Sequence, residues 1–177
     1  MLPLHDRLRE KILVLADLIK SGMDLEENVI SVYNQKRKLP AASGIFIDVA
    51  FLGSKPFSVS SAQVYDPDED DMLEEQTITE RQLYQIDILS QDATARQRKH
   101  EIVFALTGTE AQQAQEFYGF HIAKLPLAFN DLSQTEGPSR LNRYSVTVAI
   151  IASISKRKVV QAFNSFQNPP KTLLTNQ

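Results

Sequence analysis

From Tyr144 to Ser155 the chain alternates: Tyr144, Val146, Val148, Ile150, Ala152 and Ile154 fall on one side of an extended backbone, with Ser145, Thr147, Ser153 and Ser155 on the other. Successive side chains of a strand point to opposite faces, so this pattern predicts a long strand with one apolar side. Such a strand cannot stand alone. It needs strands along its edges and a cover over its apolar face. A membrane helix would need about 20 apolar residues, more than this segment offers, so the chain reads as a soluble protein with no membrane partner.

The rest of the chain offers both neighbours and cover. Ile45, Ile47, Val49 and Phe51 alternate with Phe46, Asp48, Ala50 and Leu52, again at strand spacing. Gly53 and Pro56 punctuate a turn before a second extended run, Phe57 to Tyr65. Tyr84, Ile86 and Ile88 share one face of a strand from Leu83 to Leu89, and the intervening Asp66 to Glu75 reads as a carboxylate-rich loop. The region is expected to form a long projecting β-hairpin with an acidic tip.

Helical period appears elsewhere. Leu4, Leu8, Ile12, Leu15 and Ile19 recur at spacings of three and four, with Pro3 suited to a first turn and Gly22 to an end. Asp92 is placed to cap a helix from about Ala93 to Leu106, and Thr109 with Gln112 makes a capping box for a short helix ending at Gly119. An irregular stretch with Pro126, Asn130, Asp131 and Gly137 then leads into the long strand.

This order predicts an α+β fold: a mostly antiparallel sheet with an N-terminal helix and two central helices packed on one face. The other face, with Phe46, Leu52, Ala149 and Ile151, is left to water or a partner. Residues 1–166 read as one domain. Residues 167–177, with Pro169 and Pro170 and no periodicity, read as an extended C-terminal arm or a disordered tail.

Composition narrows the function classes. The chain of 177 residues has a formal net charge of -3 and no broad basic stretch, whereas tight non-specific nucleic-acid binding needs many phosphate-neutralising Lys and Arg. A nucleic-acid-binding module would use Lys156, Arg157 and Lys158 with Arg140 and Arg143. With no cysteine, disulfides, thiolate metal sites and a cysteine nucleophile are excluded, and a reducing compartment fits. Charges at Asp6, Arg7, Arg9, Glu10 and Lys11 interrupt the N-terminal apolar residues, so no secretion signal is expected.

The search for chemistry returns little. His5 and His100 sit in charged helical segments and read as solvated, and His121 reads as half buried; no pair has the spacing of a zinc-binding helix. Asp66, Asp68 and Asp70 alternate as in a calcium loop, but the sixth position is Asp71 instead of glycine and the twelfth is Thr77 instead of glutamate. The six scattered glycines build no phosphate-cradling loop. No metal or cofactor is expected.

Asp48 and Asp87 could make a carboxylate pair for acid–base work only with a pocket and perturbed pKa values. Solvent exposure, or pairing with Arg81 or Arg143, is the reading the sequence favours. Catalysis is therefore not expected.

One wider pattern stands out. The strand Tyr84 to Ser90 leads directly into a helix with Ala93, Ala95, Arg96 and Arg98 that ends at Ala105-Leu106. Later come Pro126 to Ser133, and then Arg140-Leu141-Asn142-Arg143-Tyr144 opening the long strand. With the N-terminal helix, this order resembles phage neck and tail terminator proteins over residues 4 to 166. The resemblance implies a structural virion protein, assembled in the host cytoplasm, that forms a ring, typically sixfold, at the tail–neck junction. Its implied partners are further copies of itself, the tail tube protein, the head–tail connector proteins and, as a further candidate, the tail sheath. Genomic DNA would pass through the lumen without specific binding. The alternatives are another tail-completion or baseplate-proximal structural protein, a small enzyme, or a nucleic-acid-binding module. Expected interface residues are Asp66, Asp68, Glu69, Asp70 and Asp71 of the acidic tip, with Phe163 and Phe166 beyond the last strand.

Overall fold

The computed structural model describes residues 10–26, 29–32, 44–66, 71–123, 128–136 and 139–159, and three long strands set its frame. In chain order the elements are α1 (Lys11–Gly22), β1 (Ile30–Val32), β2 (Ile45–Asp66), β3 (Asp71–Ser90), α2 (Thr94–Arg98), α3 (Glu101–Thr107), α4 (Thr109–Tyr118), β4 (Phe120–Ile122), β5 (Asn130–Asp131), β6 (Gln134–Glu136) and β7 (Ser139–Val159). The fold is α+β. Its sheet runs β1-β2-β3-β7-β4, with β5 and β6 also against β7. Only β1 and β2 run parallel; every other pair is antiparallel.

β2, β3 and β7 hold 22, 20 and 21 residues. At about 3.3 Å per residue each spans roughly 65–70 Å, several times the usual strand length. The helices cover only part of that span. One apolar cluster joins Ile12, Leu15, Leu18 and Ile19 of α1, Ile102 and Leu106 of α3 and Ala111 of α4 to a single sheet face built of Ile47, Val49, Ile86, Ile88, Val146, Val148 and Ile150. Each fully buried Ile, Leu or Val contributes about 1.5–3 kcal/mol, so this part of the sheet carries the stability.

α1 and α3 meet at Gly22. A Cβ there would lie 2.4 Å from the Ala105 Cβ and 2.8 Å from its Cα. Gly22→Ala is therefore expected to lower stability by about 1–2 kcal/mol, the overpacking outweighing the gain in helix propensity. Ala105→Gly in the same chain should restore little of the loss, because the Ala105 Cα would still lie 2.8 Å away and glycine weakens α3; urea denaturation of the single and double variants checks both.

The corner between β3 and α2 is stapled by polar groups. The Ser90 hydroxyl accepts from Ala95 N–H (2.9 Å) and donates to the Asp92 carbonyl (2.6 Å). That carbonyl also accepts from Asn142 Nδ2 of β7 at 2.7 Å. The Asp92 carboxylate accepts the Thr94 N–H at 2.9 Å, but the N-cap of α2 is Ala93 rather than the expected Asp92 and carries no side-chain cap. Hydrogen bonds from the Thr94 hydroxyl and then its N–H hold the Asp92 carboxyl below the usual value.

Several local expectations change. The turn expected at Gly53 and Pro56 is instead a pair of irregularities inside one continuous strand, where the register with β3 shifts between Phe51 and Gly53 and between Pro56 and Ser58. Bulges take up the residues a regular ladder cannot hold: Gly53 has φ +150°, and Pro56 has no N–H to give. Asp71 to Glu75 belong to β3 rather than to a loop, and the connection 67–70 lies outside the described residues.

The helix expected over 93–106 is broken at Lys99-His100 into α2 and α3. Arg98 sits at the break, its guanidinium donating to the Met23 carbonyl (2.5 Å) at the end of α1 while pairing with Glu101 (2.6 Å). Thr109 makes no side-chain cap for α4, which begins after Gly108; Gly119 ends it in the left-handed conformation, as expected. α1 is described from Lys11, so Pro3, Leu4 and Leu8 lie outside the described residues, as do His5 and the tail 167–177.

Candidate functional site

Past the helix-covered region, β2, β3 and β7 continue together as a three-stranded arm. Tyr84 marks the boundary: its ring is buried, its hydroxyl donates to Gln82 (2.6 Å), and burial together with the charge of Glu80 pushes its pKa up to about 12. Beyond it, Val59, Ile78 and Ile154 stand side by side across the three strands (Val59↔Ile78↔Ile154). They lie on the same face as the core residues, but they are 73%, 42% and 60% exposed. Phe57, at the second bulge, is 61% exposed.

Side-chain latches hold the arm together without a core. On the opposite face Thr77 pairs with Ser155 (2.7 Å) and Thr79 with Ser153 (3.0 Å), hydroxyl to hydroxyl. Farther out Arg157 meets Glu75 at 3.2 Å. The Glu74 carboxylate accepts from Ser61 (2.7 Å) and Gln76 (3.1 Å), bonds that hold its pKa below the ordinary value. Among the described residues, no strand pairs with the outer edge of β2 from Leu52 to Val64, or with that of β7 from Ser153 onward.

A second feature lies on the sheet face opposite the helices. Ser31, Asp48, Asp87, Ser145 and Asn130 form one polar row across five strands (Ser31↔Asp48↔Asp87↔Ser145↔Asn130). Asp87 and Asp48 are thus direct cross-strand neighbours. The Asp87 side chain is 6% exposed and is engaged by Arg143 at 2.6 Å and by Gln85 Nε2 at 3.0 and 3.1 Å. Of the partners the sequence offers Asp87, Arg143 is the one it takes; Arg81 is exposed. Asp48 is left with a buried Oδ1 that accepts no hydrogen bond.

Burial, and after it the negative charge of Asp87, raises the Asp48 pKa, with the nearby Ser31 hydroxyl and Arg143 opposing. A carboxyl whose pKa is higher folded than unfolded destabilises the fold when ionised. That cost is absent below the ordinary value of 3.8 and grows as pH rises through the raised folded value. Asp48→Asn should therefore stabilise the protein at pH 7, by about 0.5 kcal/mol for a half-exposed, screened group. The advantage over the parent should vanish near pH 3, as thermal melts at the two pH values would report.

The other sequence-derived candidates are dispersed. His121 is exposed on β4 rather than half buried, because β4 lies along the sheet edge and turns Phe120 and Ile122 inward instead. His100 is exposed and meets the Phe129 ring edge-on at 5.5 Å. Among the described residues no group of three or more His, Asp or Glu is placed to hold a metal. A groove of about 710 Å³ opens between α3, α4 and β4, lined by Val103, Leu106, Gln112, Gln115, Phe120 and Ile122.

Of the expected interface residues, Asp66 and Asp71 are the last backbone pair at the far end of the arm. Asp68, Glu69, Asp70, Phe163 and Phe166 lie outside the described residues. The chain matches no family profile and no curated protein. Ile154 was read on the apolar face of the long strand and Val59 within an extended run, but their meeting Ile78 in one exposed row went unread. Its signal was the alternation of Val59 with Ser58 and Ser60, and of Ile78 with Thr77 and Thr79.

Proposed function

We propose that this chain is a structural virion protein that assembles with copies of itself into a ring, sixfold by the resemblance, at the tail–neck junction of a tailed phage. There it ends the tail tube and joins it to the head connector. The arm carries this reading. A monomer gains nothing by holding Val59, Ile78 and Ile154 in water, whereas a subunit with a neighbour there buries them. The mild net negative charge suits a lumen through which DNA passes without sticking. Among the described residues no helix is long and apolar enough to cross a membrane.

The deciding measurement is mass in solution, by light scattering after size exclusion over a range of concentrations, together with recruitment to purified tail tubes. A closed multi-copy particle, formed alone or on the tube, is expected. A protein that stays monomeric at every concentration and is not recruited by tail tubes would overturn the reading.

A further inference from the structure

We propose that neighbouring copies join arm to arm, the outer edge of β7 in one copy pairing in parallel with the outer edge of β2 in the next, so that the ribbons fuse into one sheet; this rests on the ring reading above. An open strand edge is a row of unpaired N–H and C=O groups, and monomeric proteins blunt such edges with charge, proline or a cover. β2 does so only at Lys55 and Pro56. From Phe57 to Val64 it carries no charge at all, and its side chains are exposed throughout. Among the described residues nothing pairs with the outer edge of β7 from Ser153, past the last β4 contact at Ala152, and Ser153 to Ser155 carry no charge ahead of its basic run.

Charge selects which edges meet. The β7 edge carries Lys156, Arg157 and Lys158, all exposed. β2 runs outward into Asp66, and the sequence continues with Asp68, Glu69 and Asp70. Pairing β7 with β7 would set two basic runs side by side, and pairing β2 with β2 would leave every β7 edge open. Only the mixed pairing covers both edges of every copy without setting the basic runs side by side.

Direction follows from topology. β2 and β7 are each antiparallel to β3, so they run the same way. Copies related by rotation about an axis along the strands therefore meet in parallel, with their arms level. Lys158, level with Gln63 through Glu74, then lies about 10 Å along the strand from the neighbour's Asp66, near one Debye length. The contact is head-to-tail, so it repeats until the ring closes.

The absence of cysteine makes the test clean. Ser60 and Ser155 are both level with Thr77, one on either side of it. Within one chain they are two strand spacings apart, about 9.6 Å, beyond disulfide reach. Between level neighbours they are adjacent. The Ser60→Cys/Ser155→Cys protein, with Ser153→Cys or Arg157→Cys replacing the second cysteine to scan the register, is oxidised and run on a non-reducing gel while light scattering follows its mass.

The expected result is a ladder of covalent multimers in one register, ending at the mass of the closed particle, with single-cysteine proteins uncross-linked. Dimers from Ser60→Cys alone would overturn the proposal in favour of β2–β2 pairing. A multi-copy particle with no cross-link in any register would overturn it and leave the ring reading standing. A protein that is monomeric with and without tail tubes would overturn both.

Discussion

Arg143→Ala is expected to cost about 3 kcal/mol of folding stability, more than its half-exposed position on the sheet would suggest. The reason lies in its partner. The Asp87 side chain is 6% exposed and faces Asp48 across the strand pair, so removing the guanidinium leaves a buried carboxylate beside a second one. Gln85 can still donate to Asp87, but a neutral amide does not replace a cation. Exposure of Arg143 itself, at 38%, keeps the value at the lower end of what breaking a buried pair costs. A chain of this size should lose roughly 6–12 °C in Tm. Asp87→Asn in the Arg143→Ala background should recover most of the loss, because the penalty lies in the stranded charge. A loss below about 0.5 kcal/mol would mean that water screens the pair as it does on an ordinary surface.

That ion pair also shows how far the sequence could be read. Asp48 and Asp87 were visible as carboxylates in strands, and Arg143 as a possible partner. The register that sets Asp48 opposite Asp87 was not visible, because two bulges in β2 shift it. The α+β class was legible from two clean periods, and long alternating runs such as Tyr144 to Ile154 were placed on the correct face. Elements of two or three residues, β1, β4, β5 and β6, cannot show a period and exist only because a neighbouring strand orders them. The split between α2 and α3 was equally hidden, since it follows from Arg98 reaching the end of α1, a contact between residues far apart in sequence. A projecting pair of strands was expected here, but the continuation of β7 along it was not. Alternating Thr, Ser, Val and Ile reads as strand, yet nothing local says how far along it the helices reach.

Ile86→Ala and Ile78→Ala would map where the core ends. Both residues lie on β3 and on the same sheet face, yet Ile86 is 0% exposed and Ile78 42%. Ile86 sits between Val49 and Val146, within the cluster that α1 and α3 close. Its truncation removes buried methyl groups and leaves a cavity that rigid neighbours on both strands cannot fill. A cost of about 4 kcal/mol is expected, seen as a Tm roughly 8–16 °C lower. Ile78 sits between Val59 and Ile154, and none of the helices among the described residues packs it into the core cluster. Truncating it loses only partly covered cross-strand contacts and leaves no enclosed cavity, and the stability change should stay within about 1 kcal/mol. If the arm is where copies meet, the two variants should then exchange roles. Ile86→Ala at a temperature where it is still folded should assemble as the parent does, while the stable Ile78→Ala should assemble more weakly. Equal stability losses at both positions would mean that the core extends along the arm within one chain, and Val59, Ile78 and Ile154 would lose their standing as a surface for a neighbour.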